Sequence, residues 1–514
     1  MPPPDAERAR VCASVVTSAS VSLDRLLAEP KQALAALCAA QVLVWTLACS
    51  FTHYGPTRDM VESYLWGHEW VIGTAKHPNL PGWILESGRL LTGSISWPGY
   101  FSSELLLIGT YICTFGLGAD IMGPRRALAG VLLLTGLFYM AWPSTLMNHD
   151  VVQMPIWAAL IWQLWRLRER PSVPGWLVLG AVAAFGLYAK LSFGVLIACC
   201  GLWILYDGAL LKQLARPAPW LGLGLFAALC LPLARWLSAS QFAALGYARE
   251  QNAEGASPWE FLGGQILTSF GVLALAVLAG LIWRQANAPT TAPANDPRLP
   301  SDLSIRYLAH MLILPNLMTT WLAWTLSSGT RGMWGTPMLS LLGLLVVALV
   351  PQRLDASTLR RLAMLAAGIL LVMPTVYVAD TLLEPRLTGH PKRQGWPQAE
   401  MNRRFQAIWR QQTGKPLRIV AGDFWTAGLV ALAPGDMPSI FTNGNFDTAP
   451  WITPERLKRE GALLIWQAGD PAAGIPLDIA PIAGDRPPHY EQFQWPLFSG
   501  APPLVIGYAI VPPA

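Results

Sequence analysis

The sequence predicts a polytopic α-helical membrane protein, with about 11–13 transmembrane helices followed by a small C-terminal α/β domain outside the membrane. Of its 514 residues, 53% are hydrophobic and only 13% are charged, whereas soluble domains carry about 25% charged residues. Its 24 tryptophans fit this class, because indole rings favour the lipid–water interface. The net charge of +5 is too small and too dispersed to indicate a nucleic-acid partner.

About eleven apolar runs are long enough to cross a bilayer, which takes roughly 17–25 residues. They lie near 32–50, 101–118, 127–146, 151–166, 174–189, 191–206, 217–237, 263–283, 307–326, 335–350 and 361–379. One set of connections is rich in Lys and Arg, and the positive-inside rule makes this set cytoplasmic. It comprises 123–127, 166–172, 210–217, 283–306 and 351–361. We therefore expect the opposite loops to face the periplasm or the cell exterior.

Three regions follow from this topology. We expect a cytoplasmic tail at 1–31, a transmembrane domain at 32–379 with a large first outer loop at 51–100, and a periplasmic domain at 380–514. The last region alternates predicted helices with predicted strands, which indicates an α/β domain. These elements are helices at 401–414 and 453–461 and strands at 417–424, 438–443, 462–467 and 503–511. No Gly-rich phosphate loop precedes either helix, so we expect no nucleotide there.

Ionisable residues collect on the predicted outer side. They are His53, Asp59, Glu62, His68, Lys76, His77, His149, Asp150, Lys190 and Arg331. Charged groups near hydrocarbon are costly and are kept mainly where they line a cavity or serve a function. One site built from several outer loops would account for all of them. The alternative is an ordinary set of polar loops facing water.

The first outer loop contains a pair of carboxylates, Asp59 and Glu62. A spacing of three puts both on one face if 57–67 is a surface helix. Such a pair suits a general base or a set of ligands for a divalent metal, or it is the acidic face of a solvated helix. A metal held through His77, His53 or Glu62 is left open, because no ligand spacing requires it.

Two further segments carry polar groups at the interface. In "AKHPNLPGW" (75–83), Lys76 and His77 precede a proline that favours extended backbone, and a cation there would suit an anionic head group. "NHD" (148–150) places a carboxylate in a very short outer turn. A turn that needs only a polar cap accepts Asn or Ser equally well, so Asp150 is predicted to be functional.

The order of these motifs resembles a known family. "DMVES", "KHPNLPGW", "NHD", "GLYAKLS" (186–192) and "RGMWGTP" (331–337) are similar to segments of the bacterial family 39/83 polyprenyl-phosphate-dependent glycosyltransferases, in the GT-C class. That group includes protein mannosyltransferase-like enzymes and the aminoarabinose transferases that modify lipid A. The C-terminal region also resembles the outer domain of family members.

The resemblance implies a role for each matched residue. Asp59 corresponds to the catalytic base and Glu62 to its acidic partner. The donor phosphate is expected near Lys76, His77, Lys190 and Arg331. Arg249 is a further candidate, in the loop 238–262, which does not align with the family. The cavity and acceptor are expected near Asp150, Asn148 and His53. Many family members have a second proline where this chain has Asn79, so the shape of that loop is expected to differ.

The implied function is transfer of a sugar from a polyprenyl-phosphate donor to an extracytoplasmic acceptor, such as lipid A or another glycolipid, a polysaccharide or a protein. Membrane lipids surround the enzyme, and no cofactor is required apart from the metal left open above. The main rival is a transporter or flippase for a lipid-linked sugar. A transporter would favour internal repeats and ionisable groups near the bilayer midplane, and the sequence shows no repeat.

Overall fold

The computed structural model describes residues 22–244, 246–247, 255–282, 299–350, 354–469 and 474–514. Within these ranges the chain forms a large helical domain followed by a small α/β domain. Arg249, one of the expected phosphate-binding residues, lies outside the described residues, as does most of the predicted cytoplasmic connection 283–306.

The helical domain contains fourteen α-helices that we number along the described chain. They are α1 (Pro30–Thr52), α2 (Arg58–His68), α3 (Leu80–Thr92), α4 (Trp97–Met122), α5 (Pro124–Leu134), α6 (His149–Glu169), α7 (Val173–Ala189), α8 (Gly194–Tyr206), α9 (Gly208–Gln213), α10 (Pro217–Ala239), α11 (Pro258–Leu278), α12 (Asp302–Thr325), α13 (Leu342–Ala348) and α14 (Ala356–Thr388). Short 3₁₀ turns join several of them.

Five described helices, α1, α4, α10, α11 and α14, are long and apolar enough to span a membrane. A sixth span is formed if α5 and the segment Phe138–Thr145, bent by 93°, cross together. The apolar stretches Val173–Ala189 and Leu191–Tyr206 are shorter. The chain is thus a multi-pass membrane protein, and the larger number of spans expected from the apolar runs stays a prediction.

The first outer loop folds into two packed helices, α2 and α3. The surface helix expected at 57–67 is confirmed as α2. It buries Met60, Val61, Tyr64 and Leu65 completely or almost completely, which leaves Asp59 and Glu62 on its other side. The two helices approach so closely that a Cβ on Gly67 would lie 2.1 Å from the carbonyl oxygen of Gly82 in α3. This contact fixes where α2 presents its carboxylates.

The C-terminal region is the expected α/β domain, which we call the outer domain. Its five-stranded sheet has the order β2-β1-β3-β5-β4, with β1 parallel to β2 and β3 and the other pairs antiparallel. The elements are α15 (Gln398–Thr413), β1 (Ile419–Gly422), α16 (Thr426–Ala431), β2 (Ser439–Thr442), α17 (Pro454–Glu460), β3 (Ala462–Gln467), α18 (Ala480–Ala483), β4 (His489–Phe493) and β5 (Leu504–Val511). Both predicted helices and all four predicted strands are present. The strand β4 and the short helices α16 and α18 were not predicted.

The outer domain packs on the first outer loop. Arg89 of α3 donates hydrogen bonds to the carbonyl oxygens of Pro434 and Gly435, at 3.0 and 2.7 Å. On α2, side-chain atoms of Val61 and Leu65 lie so close to Gly428 that a Cβ there would be 2.8–2.9 Å from them. Helix α2 is therefore held between α3 and the outer domain, which restricts the position of its two carboxylates.

Candidate active site

A cavity of about 570 Å³ opens on the predicted outer side. Its lining combines residues from distant parts of the sequence. The predicted site residues among them are Asp59, Glu62, Lys76, His77, Asn148, Asp150, Lys190 and Arg331. The expectation that several outer loops build one site therefore agrees with where these side chains lie.

Glu62 and Lys76 form an ion pair at one end of the cavity. Burial raises the pKa of the Glu62 carboxyl, and the neighbouring Lys76 ammonium acts in the opposite direction. The same ammonium lies 4.6 Å from the ring centre of Phe424, 5.4 Å from that of Tyr247 and 5.8 Å from that of Trp66. Lys76 is thus held by one carboxylate and three aromatic faces.

The loop that carries Lys76 and His77 is a tight reversal. Gly73 and Pro78 form an antiparallel bridge, in keeping with the extended backbone predicted before the proline. Asn79 is almost fully buried, and its side-chain amide donates to the carbonyl oxygens of Trp66 and Val71 at 2.9 and 3.0 Å. The residue that replaces a proline of the family pattern therefore ties this loop to the end of α2.

Another part of the cavity lining is built by the start of α6 and the end of α7. The side-chain oxygen of Asn148 caps α6 by accepting from the backbone N–H groups of Asp150 and Val151, at 2.9 and 3.0 Å. Asp150 accepts from the Lys190 ammonium at 2.8 Å and from the Gln153 amide at 3.3 Å. Asn148 shapes this turn, while Asp150 and Lys190 form a nearly buried ion pair.

His77 lies against His149, with ring centres 4.4 Å apart. His149 in turn lies 3.2 Å from the carbonyl oxygen of Pro78. Burial holds the pKa of His77 well below its usual range, and the positive charges of Lys190 and Lys76 act in the same direction. At neutral pH His77 is therefore uncharged, and it can bind a phosphate only by donating a hydrogen bond.

Asp59 is open to the cavity, yet protein surrounds it on several sides. Burial raises the pKa of its carboxyl, and the like charge of Asp150 raises it further, while Arg58, Lys190 and Lys76 oppose the shift. Water in the cavity weakens these effects. A carboxylate with a raised pKa is a stronger base, which suits it to accept a proton.

One expected site residue lies elsewhere. His53 is not among the residues lining this cavity, because its ring lies between two tyrosine hydroxyls, 2.6 Å from that of Tyr100 and 2.6 Å from that of Tyr377. The described residues contain no group of three His, Cys, Asp or Glu side chains able to hold an ion, and the metal left open by the sequence stays a prediction. Glu62 is paired with Lys76.

Sequence reasoning missed several lining residues. The Tyr247 ring faces the Lys76 ammonium, and the Trp334 ring faces the Lys190 ammonium, which lies 5.5 Å from its centre. Part of the wall is apolar, and it is formed by Leu191, Val195, Leu322, Leu326, Met333 and Met338. Leu191, Met333 and Trp334 lie within motifs quoted above, "GLYAKLS" and "RGMWGTP". The other apolar wall residues look like any others in a membrane helix.

The site and fold together define a class of protein. The chain matches the family model for dolichyl-phosphate-mannose-protein mannosyltransferase over residues 76–236. The solved structure of ArnT from Cupriavidus metallidurans bound to undecaprenyl phosphate superposes with a TM-score of 0.62 and 13% identity, covering 92% of this chain and 97% of that one. The chain is an integral membrane glycosyltransferase with a GT-C-type fold.

A second solved structure and one curated protein are also similar to this chain. The apo structure of the same ArnT matches with a TM-score of 0.59, at 13% identity and the same coverage. The lipopolysaccharide core galacturonosyltransferase RgtB of Rhizobium johnstonii is 26% identical over 382 residues, which span 71% of this chain and 72% of RgtB.

Proposed function

We propose that this enzyme transfers a sugar from a polyprenyl-phosphate donor to a glycolipid acceptor on the periplasmic face of the inner membrane. The observation that carries the proposal is the shared cavity, in which a carboxylate, Asp59, lies with the cations Lys76, Lys190 and Arg331 beside an apolar wall. The similarity to an ArnT structure that contains undecaprenyl phosphate supports a donor of this kind.

The reaction forms a bond between an acceptor hydroxyl and the anomeric carbon of the donor sugar, and it breaks the bond from that carbon to the phosphate. The acceptor hydroxyl loses its proton to Asp59, a step that typically contributes about 10²–10⁴-fold to the rate. Lys76, Lys190 and Arg331 stabilise the negative charge that grows on the departing polyprenyl phosphate. His77 adds a neutral N–H donor.

The apolar wall explains how a lipid donor reaches these groups. Leu322 and Leu326 lie at and just beyond the end of α12, next to the cations of the cavity. An isoprenoid chain would lie along this wall, and its phosphate would lie at the polar end. The cavity thus offers one surface for each half of an amphipathic donor.

The similarity to the lipopolysaccharide core galacturonosyltransferase RgtB supports a hexuronic acid as the transferred sugar and a lipopolysaccharide core sugar as the acceptor. Lipid A is a further candidate acceptor. A polysaccharide or a protein is the alternative acceptor. The functional alternative is a flippase, which would move the lipid-linked sugar across the membrane without breaking its bond to phosphate.

Purified enzyme in detergent, supplied with polyprenyl-phosphate sugars and a lipopolysaccharide acceptor, tests the proposal. We expect release of polyprenyl phosphate together with a glycosylated acceptor, and a deletion strain should lack the same sugar in mass spectra of its envelope lipids. Movement of an intact donor across proteoliposomes without release of phosphate would instead support the flippase.

A further inference from the structure

A third basic side chain, Arg58, shares the aromatic ring that holds Lys76. Arg58 is the first residue of α2 and is exposed. Its guanidinium carbon lies 4.7 Å from the ring centre of Phe424, and the Lys76 ammonium lies 4.6 Å from the same centre. Both cations are therefore held by one side chain that belongs to the outer domain.

Arg58 differs from the two lysines in what it binds. Lys76 is paired with Glu62, and Lys190 is paired with Asp150. Among the described residues, Arg58 makes only the aromatic contact, and no carboxylate of that part of the chain lies within ion-pair distance of its guanidinium. Its hydrogen-bonding edge is thus available, although its charge is close enough to act on Asp59 and Glu62.

Phe424 is held rigidly in this position. It follows β1 at the carboxyl end of a parallel strand, an edge where α/β domains commonly bind ligands. The next residues are fixed because Asp423 accepts from the backbone N–H groups of Trp425 and Thr426, at 2.9 and 2.8 Å. The preceding Gly422 has φ +146°, and a Cβ there would lie 2.0 Å from the carbonyl oxygen of Ile465. These contacts restrict the backbone on both sides of Phe424.

We propose that Arg58, positioned by Phe424, binds a second anionic group of the substrates, separate from the donor phosphate. A guanidinium presents paired N–H donors that match the two oxygens of a carboxylate or a phosphate. The anionic group is either the carboxylate of a transferred uronic acid or a phosphate or carboxylate on the glycolipid acceptor. This inference rests on the proposed transfer reaction.

The test compares the kcat/KM of Arg58→Gln and wild type over a small panel of substrates. The donors are polyprenyl-phosphate galacturonic acid and polyprenyl-phosphate galactose, and the acceptors are a phosphorylated lipid A and its dephosphorylated form. For one of the two pairs, we expect Arg58→Gln to lower kcat/KM by about 10- to 100-fold with the anionic substrate. With the neutral substrate of the same pair, kcat/KM should fall by less than about threefold. The pair that shows the difference identifies the source of the anion.

Two variants separate recognition from folding. Phe424→Leu should reproduce the selectivity change in weaker form, while Phe424→Tyr should retain wild-type selectivity because it keeps an aromatic face. The matched control is Arg393→Gln, since Arg393 is also exposed and stacks on an aromatic residue of the same loop, 5.9 Å from the centre of Trp425. For Arg393→Gln, the kcat/KM with the anionic substrate relative to that with the neutral substrate should equal the wild-type value, both for the two donors and for the two acceptors.

The outcomes distinguish this inference from the proposed reaction. A wild-type enzyme that transfers no sugar from any polyprenyl-phosphate donor would contradict both. A wild-type enzyme that transfers sugar, combined with an Arg58→Gln variant that loses activity equally with all four substrates or with none, would contradict the anion site alone.

Discussion

The Lys190 ammonium, in the turn that follows α7, donates to a carboxylate oxygen of Asp150, in the first turn of α6, at 2.8 Å. The two side chains are only 12% and 9% exposed, so each charge depends on the other. Asp150 in turn raises the pKa of Asp59, after the larger effect of burial. Asp150 therefore links two functional residues: it pairs with Lys190, which is expected to bind phosphate, and its charge acts on Asp59, which is expected to accept the proton.

Lys190→Met should both destabilise the protein and weaken donor binding. The substitution leaves Asp150 uncompensated, and breaking a buried pair costs about 3 kcal/mol in the free energy of unfolding, at the low end of the usual range because both side chains line an open cavity. The double variant Lys190→Met/Asp150→Asn should recover stability in thermal melts but should not recover polyprenyl-phosphate affinity. Recovery of both would mean that Lys190 only balances Asp150.

The pH dependence of transfer should report Asp59. A base works only when it is ionised, so kcat/KM should fall as the pH falls through the pKa of Asp59. Asp150→Asn removes a like charge, which lowers that pKa and should move the acid limb of the pH profile to lower pH. A limb that stays in place or moves to higher pH would contradict the coupling of the two carboxylates.

Arg89 should be the residue that fixes the outer domain to α3. Arg89 forms an ion pair with Glu86, and their side chains are only 5% and 2% exposed. Burial alone would raise the pKa of Glu86, but hydrogen bonds from Arg89 and His68 hold it at about 2. Arg89→Met leaves a buried charge and should lower the free energy of unfolding by about 3–5 kcal/mol, with faster proteolysis of the outer domain.

The control for Arg89 is Arg418→Met. Arg418 also pairs with a carboxylate of the outer domain, Asp436, but the two side chains are 47% and 68% exposed. Exposed pairs contribute about 0–1 kcal/mol, so this variant should melt near wild type. Equal destabilisation by both variants would contradict the interface argument.

The topology predicts the outcome of reporter fusions. A reporter that is active only outside the cytoplasm should work when fused after Trp451 and should fail when fused within 286–300, because Lys and Arg are concentrated in the cytoplasmic connections. The opposite pattern would place Asp59 on the wrong side of the membrane for a periplasmic acceptor.

The sequence was most informative where chemistry and spacing act locally. The carboxylates of α2, the Lys76–His77 loop and the "NHD" turn could be found because charged residues are conspicuous in an apolar chain, and all of them line the cavity. The capped helix α17 was equally visible, with Thr453 accepting from the Arg456 N–H at 3.1 Å.

Features that depend on distant contacts were not visible in the sequence. His53 looked like a site residue because it borders a predicted span, but its partner Tyr377 is 324 residues away. The role of Phe424 depends on the outer domain packing over α2, which no local pattern encodes. Strand β4 lies at the edge of the sheet, beside β5. All but the last of its side chains are exposed or partly exposed, and prolines lie on both sides of it. It therefore lacks the apolar alternation that identifies strands.

The most direct measurement is the turnover of Asp59→Asn in detergent, with a polyprenyl-phosphate sugar and a lipopolysaccharide acceptor. Asparagine keeps the size and hydrogen-bonding capacity of the side chain but cannot take the proton of the acceptor hydroxyl. We expect a folded protein that binds polyprenyl phosphate with near-normal affinity and transfers sugar about 10²–10⁴-fold more slowly. Glu62→Gln should cost less, since Glu62 orients Lys76. Near-normal turnover by Asp59→Asn would contradict the assignment of Asp59 as the base and would direct attention to Asp150.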